Sequence, residues 1–210
     1  MPHLNKTQLS EISGRTLEHY EDRAQAFWEG TKDHDVSQNI EALLSAIHGE
    51  PPYRLLDLGC GPGRDLLALK FRGHSPVGLD GCLNFCVMAR AMSGCEVLHQ
   101  DFLDLDLPKG EFHGIFANAS LFHVPSQEIV RVLGELRCAL QKGGVLFSSN
   151  PRGHNVEGWN QERYGVYHDL EAWRDFMQQA CFEPVDHYFR PTGLPRDQQP
   201  WLASTWRRQA

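Results

Sequence analysis

Residues 55–65 read Leu55-Leu56-Asp57-Leu58-Gly59-Cys60-Gly61-Pro62-Gly63-Arg64-Asp65, and this stretch decides the fold. An apolar run breaks into three glycines spaced two apart. It then resumes in a helix-like pattern at Leu66, Leu67, Leu69 and Phe71. That order describes a buried parallel strand, a tight turn and a helix packed back onto the strand. Glycine permits positive φ and presents no Cβ, so a flat ligand can lie against bare backbone. Residues 57–63 are therefore expected to floor a nucleotide-like site.

Downstream, strand and helix patterns alternate, as they do in an α/β protein with a parallel sheet. A helix over Arg64 to Phe71 ends at Gly73, and His74 to Leu79 reads as a second strand closing on Asp80. Gly81 to Met92 follows as a helix with Phe85, Met88 and Ala89 on its core face. Glu96 to His99 is a third strand, leading into Gln100-Asp101-Phe102. Phe112 to Ala117 is a fourth, ending at Asn118. Ser126 to Leu140 is amphipathic and Gly143-Gly144 ends it; Val145 to Ser149 is strand five. Later come a helix over Asp169 to Ala180, capped by Asp169, and strands over Phe182 to Phe189 and Trp201 to Arg207.

Two ligand classes use such a glycine floor. A dinucleotide fingerprint requires G-x-G-x-x-G, with the pyrophosphate on the helix N-terminus. Here the spacing is G-x-G-x-G, and Arg64 stands where the third fingerprint glycine would be. An acid at the end of strand two, Asp80, is placed to accept hydrogen bonds from a ribose diol. That acid is compatible with either ligand.

The pattern of an acid followed by G-x-G-x-G resembles motif I of the class I S-adenosylmethionine (SAM)-dependent methyltransferases. The resemblance covers roughly residues 50–207 and is most specific over 55–102. It implies a Rossmann-like, doubly wound seven-stranded sheet, six strands parallel and the last antiparallel, with an N-terminal helical cap. It also implies a second acid at the tip of strand three, Asp101, that recognises the adenine amino group. Phe102 then supplies a backbone N–H and an apolar wall. Asp57, Gly59, Cys60, Gly61, Gly63 and Gly81 complete the cofactor contacts, and Asn118 walls the methionine end. The implied activity is methyl transfer from SAM to a small-molecule nucleophile, giving S-adenosylhomocysteine (SAH). A SAM-binding regulatory protein without catalysis and an NAD(P)-dependent oxidoreductase are the competing readings.

The chain of 210 residues is expected to form one domain, with 1–48 as the cap, 50–150 as the SAM-binding core and 151–210 on the substrate side. Its net charge of −7 argues against a dedicated nucleic-acid binder, which needs a basic face to neutralise phosphates. The six cysteines include no C-x-x-C pair and suit a reduced cytoplasm better than a disulfide framework. Cys82 and Cys86 are four apart on a helix and read as packing rather than metal ligation. No apolar run approaches membrane-spanning length, and Met1 to Ser10 is too polar for a signal peptide.

The cap is expected as a helix over 7–29 and a second over Val36 to Ile47, with Asp35 or Ser37 capping the second. In the resembling small-molecule enzymes the cap closes over the cofactor, which would turn Tyr20 and Trp28 toward the methionine end. An aromatic face is a good neighbour for a sulfonium, worth roughly 0.5–2 kcal/mol. After strand five, residues 152–168 read as a loop dense in groups that hold anions or stack rings. Arg152, Tyr164 and Tyr167 are the candidate substrate contacts, with Arg152 as the oxyanion clamp. If the acceptor must lose a proton, His34, His123 and His168 are the candidate bases. No metal is implied.

Overall fold

Three helices open the chain, α1 (Lys6–Asp22), α2 (Ala24–Thr31) and α3 (Ser37–Ala46), in a computed structural model that describes residues 3–209. A reciprocal capping box between Asn5 and Gln8 starts α1. The single helix expected over 7–29 is divided at Arg23, which leaves helical geometry at φ −120° and ψ 14°. The break folds α2 back, so that Phe27 meets Tyr20 edge-to-face at 5.6 Å.

Strands and helices then alternate as β1 (Arg54–Leu58), α4 (Arg64–Phe71), β2 (Ser75–Asp80), α5 (Leu83–Ser93), β3 (Val97–His99), β4 (Phe112–Asn118), α6 (Ile129–Ala139) and β5 (Leu140–Pro151). A hairpin of β6 (Val156–Asn160) and β7 (Arg163–Tyr167) follows, then α7 (Leu170–Gln179), β8 (Phe182–Arg190) and β9 (Trp201–Arg208). The main sheet has the order β3-β2-β1-β4-β5-β9-β8. The first five strands are mutually parallel, and β9 runs antiparallel to both β5 and β8. Six strands therefore share one direction and β9 opposes them, as expected. A consequence is that the carboxyl end of β8 and the amino end of β9 lie on the same rim as the tips of β1 to β5.

Successive side chains of a strand face opposite sides of a sheet, and the sequence alternates accordingly. Leu56, Ile115 and Leu146 join a core with Leu133 and Leu136 of α6 and Trp173 and Met177 of α7. Their neighbours Leu55, Phe116 and Phe147 join a second core with Ile40 and Leu43 of α3. Both faces of the sheet are covered, which is why its strands read as continuous apolar runs. Cys60 and Cys86 pack in a third cluster with Leu66 and Ala89, between α4 and α5.

Two expectations change. Strand five begins at Leu140, which pairs with Phe112, so the Gly143-Gly144 pair lies inside the strand rather than between helix and strand. Residues 152–168 are not a loop. Arg163 to Tyr167 pairs antiparallel with Val156 to Asn160, and β7 packs against α1 through Ile12, Tyr164 and Val166.

Candidate active site

The tips of β1, β2 and β4 open into an inner cavity. Asp80 closes β2 with both carboxylate oxygens fixed by backbone: Oδ2 accepts from the Gly61 N–H and Oδ1 from the Cys82 N–H, each at 2.9 Å. Burial, against those two bonds, pushes the Asp80 carboxyl up to about 6. Beyond β3, Asp101 Oδ1 accepts from the Leu103 N–H at 2.8 Å and Oδ2 from the Ser13 hydroxyl. Phe102, Leu103, Leu17 and Phe85 give the cavity apolar walls. Gly59 is required by close approach: a Cβ there would stand 2.4 Å from Ser120 Cβ and 3.2 Å from the Phe102 ring.

Helix α1 roofs this cavity and is fastened along its length by side-chain hydrogen bonds. Ser13 holds Asp101, Thr16 Oγ1 accepts from the Tyr164 N–H at 3.0 Å, and the Glu21 carboxylate accepts from Leu83 and Asn84 N–H at the start of α5. Leu17 leans over Gly81, where a Cβ would come within 2.7 Å of it.

A larger, more open outer cavity adjoins the inner one and shares Tyr20, Phe27, Gly59, Gly61 and Ala119 with it. Its polar floor is a chain of bonds. Arg64 donates to both oxygens of Asp65 at 2.6 and 3.0 Å, and Asn118 Nδ2 donates to Asp65 at 3.1 Å. Buried Asn39 donates to Asn118 Oδ1 at 2.8 Å, while Tyr188 and Arg190 donate to Asn39 Oδ1 at 2.8 and 3.0 Å. Trp28 and Trp201 stand on its walls.

Where the cavities meet, the Tyr20 ring lies between Phe27 and His123. His123 Nδ1 is 2.6 Å from the Tyr164 carbonyl, which can only accept, so Nδ1 carries the proton. Nε2 then accepts from the Tyr20 hydroxyl at 2.9 Å. Burial pushes the imidazole down to about 4, so it is neutral at physiological pH. Burial raises the Tyr20 hydroxyl, and neighbouring Arg163 partly opposes that rise.

The turn at the start of α4 decides between diphosphate and sulfonium. A helix N-terminus is an anion seat when its N–H groups are free. Here Asp65 lies in the first turn of α4 and Asp57 is buried close by, so the protein's own carboxyl groups crowd that end. Burial and the adjacent Asp65 raise Asp57 well above the usual carboxylate range. The region suits an uncharged adenosine and a cationic centre and opposes a pyrophosphate.

Comparison with known proteins agrees with this geometry. Residues 55–144 match the family model described as a methyltransferase domain. Over those residues the chain is similar to a methyltransferase domain, and its fold is that of solved SAM-dependent methyltransferases. The trans-aconitate 2-methyltransferase of Rhodopseudomonas palustris is 29% identical over 145 residues, which is 66% of this chain and 54% of that protein. The 24-methylenesterol C-methyltransferase 2 of Oryza sativa is 28% identical over 130 residues, 57% of this chain and 33% of that protein. The chain thus spans only about a third to a half of the length of these relatives. A solved structure of the Burkholderia thailandensis 1,6-didemethyltoxoflavin-N1-methyltransferase, with 1,6-didemethyltoxoflavin and SAH bound, superposes with a TM-score of 0.78. It covers 100% of this chain and 93% of that one at 19% identity.

The fold brings most of the residues expected from sequence onto the two cavities. Gly59, Gly61, Asp80, Gly81, Asp101 and Phe102 line the inner one, with Tyr20 and His123. Trp28, His34, Cys60 and Asn118 line the outer one. Burial pushes the Cys60 thiol up, which leaves it a packing group.

Six candidates lie elsewhere. Gly63 (φ +100°) packs α4 onto α5, its absent Cβ 2.8 Å from Ala89 Cα. Asp57 sits beneath the floor, under α4. Arg152, expected as the oxyanion clamp, donates to the Arg196 carbonyl at 2.7 Å and to the Gln199 carbonyl, because the segment before β9 folds over it. Tyr164 is buried against α1, and Tyr167 fills the space left by Gly153 and Gly165. His168 faces a small separate cavity with Asn150 and Trp173.

Sequence reasoning missed Ser13, Asn39, Asp65 and Arg190. For Arg190 a signal existed. Ligands bind beyond the carboxyl ends of parallel strands, and β8 runs parallel to the core strands and ends at that residue.

Proposed function

We propose that the protein transfers a methyl group from S-adenosylmethionine to a small-molecule nucleophile, leaving S-adenosylhomocysteine. The observation that carries this is the continuity of the two cavities through Gly59, Gly61 and Tyr20. Asp80 would hold the ribose diol, and Asp101 with Phe102 the adenine. The Gly59–Gly61 turn and Asn118 would take the methionine end. The donor supplies a methyl carbon already activated by a sulfonium, so the protein's task is to place the acceptor about 3 Å away and in line. Tyr20, set by His123, presents its ring and hydroxyl at the junction where that line must pass. Neutral His123 acts here as a positioning group, and His34 on the outer cavity is the remaining candidate base. Residues 1–210 work as one unit in this reading, with 1–48 as the cap over the site. No helix of the described residues is long and apolar enough to cross a membrane. The acidic charge favours a small acceptor over nucleic acid, and the free cysteines favour the cytoplasm.

Calorimetric titration with SAH and with NADH tests the cofactor. SAH is expected to bind and NADH to be refused; the reverse result removes the reading. Formation of SAH on incubation with SAM and cell-extract metabolites tests catalysis.

A further inference from the structure

We infer that the methyl acceptor carries a carboxylate, and that Arg163 and Arg190 hold it in the outer cavity. This rests on the methyltransferase reading and deepens it. The protein is acidic overall, at −7, yet two arginines on the wall of one cavity make no ion pair among the described residues. The other charged groups there are already engaged. Asp65 is bound by Arg64, and the Asp35 carboxylate accepts from the Ser37 N–H at 2.9 Å. Arg163 lies over the Tyr20 ring at 5.8 Å and reaches its hydroxyl only at 3.4 Å, and its Nε is buried without a partner. Arg190 is aimed differently: its two terminal nitrogens donate to Asn39 Oδ1 and to the Asp35 carbonyl, both neutral acceptors.

A half-buried guanidinium facing only neutral acceptors keeps an uncompensated charge that an anionic ligand can pair. The planar fork matches a planar two-oxygen anion. Arg163 also stands beside Tyr20, at the junction where the methyl group would be delivered. Trp28, Phe122 and Trp201 on the same cavity offer apolar faces to the body of such an acid. The acceptor is therefore a small carboxylic acid with a flat or apolar body. Inorganic phosphate and phosphate monoesters share the charge but not the planarity.

The test uses the SAH-loaded protein, so that the cofactor's own carboxylate is already seated. Benzoate, cinnamate, and short unsaturated di- and tricarboxylates are titrated against it, each beside its primary amide, together with inorganic phosphate. At least one acid is expected to bind tenfold or more tightly than its amide. Arg163→Gln and Arg190→Gln should each weaken that acid tenfold or more while changing SAH affinity less than twofold. Arg190→Lys should recover part of the loss, since it keeps the charge without the fork. The proposal is overturned if no acid is preferred to its amide, or if phosphate binds and the acids do not. It is equally overturned if the glutamine variants lose SAH and acid in parallel, which would assign these arginines to the cofactor. Failure of the unmodified protein to bind SAH would instead overturn the methyltransferase reading.

Discussion

The inner and outer cavities are built by different means. The inner one is assembled from strand tips: Asp80 ends β2, Asp101 follows β3, and Gly59 follows β1, each within a few residues of a rigid ladder. The outer one gathers side chains from α2, α4, β7, β8 and the start of β9, with the bonds Asn39 to Asn118 and Arg190 to Asn39 spanning 79 and 151 positions. The first is a property of the sheet, and the second depends on how the ends of the chain return to it. A family of such proteins can therefore keep one cofactor and change acceptors by altering the rim side chains of those elements while their core positions stay fixed.

The sharpest way to break that contrast lies in the glycine turn itself, where neighbouring glycines serve opposite ends. A Cβ at Gly63 would meet Ala89 of α5 at 2.8 Å in a left-handed conformation, so both packing and backbone oppose it. Gly63→Ala is expected to destabilise the fold by roughly 3 kcal/mol or more, read from denaturant midpoints. At Gly61 the added atom would meet only the Phe27 ring, at 3.7 Å. Gly61→Ala should cost about 1–2 kcal/mol of strain, yet weaken SAH binding more than its stability loss explains. Equal stability losses at the two positions would show that the turn has no division of labour.

Next in size is Asp80. Asp80→Ala should weaken SAH binding by about 1.5–3 kcal/mol, the range for hydrogen bonds to a charged group, without unfolding the protein. Calorimetry that finds unchanged affinity removes Asp80 from the ribose site. Arg152→Ala offers the counterpart: its guanidinium ties down only the segment before β9, so SAH affinity should not move.

These expectations also mark what was legible in the sequence. Asp80 and Asp101 could be set at strand tips from the sequence because apolar runs locate strands well, and both line the inner cavity. Arg152 was misassigned by the same rule applied without its neighbours: the turn before β9 covers it, and no local pattern announces that. The hairpin of β6 and β7 was read as a loop because its aromatics and arginines do not alternate with apolar residues facing a core. It packs instead on α1, a partner some 150 positions earlier, through contacts such as Thr16 to Tyr164. Arg190 shows the converse, a readable position passed over because β8 belongs to the closing pair rather than to the first five strands.

A third test separates the cavities by pH. Burial raises the Asp80 carboxyl to about 6, and ribose hydroxyls donate to its ionised form, so ligand binding and ionisation favour each other. SAH affinity is expected to be level above pH 7 and to fall as pH drops through about 6, approaching tenfold per unit. His123 does not interfere in that window, being pushed down to about 4. For stability of the free protein the signs oppose. The raised Asp80 contributes stability that is lost as pH rises from its unfolded value through about 6. The depressed His123 contributes stability that is lost as pH falls from 6.5 toward about 4. Asp80→Asn should abolish the pH dependence of SAH binding and leave the His123 slope visible in melting curves.

The smallest effect concerns the roof. In the free protein the Ser13 hydroxyl occupies Asp101 Oδ2, the oxygen that an adenine amino group would approach if Asp101 reads the base. Binding then exchanges one hydrogen bond for another, so the net gain at Asp101 is only their difference. Removing the hydroxyl deletes the competitor but leaves α1 held by Thr16 and Glu21. Ser13→Ala should therefore tighten SAH by about 0.5–1 kcal/mol, the net scale of one such bond, with little change in melting temperature. A comparable loss of affinity would mean that Ser13 holds Asp101 in position for the base, and that the roof and the strand tip act as one unit. In that case the boundary between the rigid cofactor end and the assembled acceptor end runs through α1 itself, and the cap belongs to both.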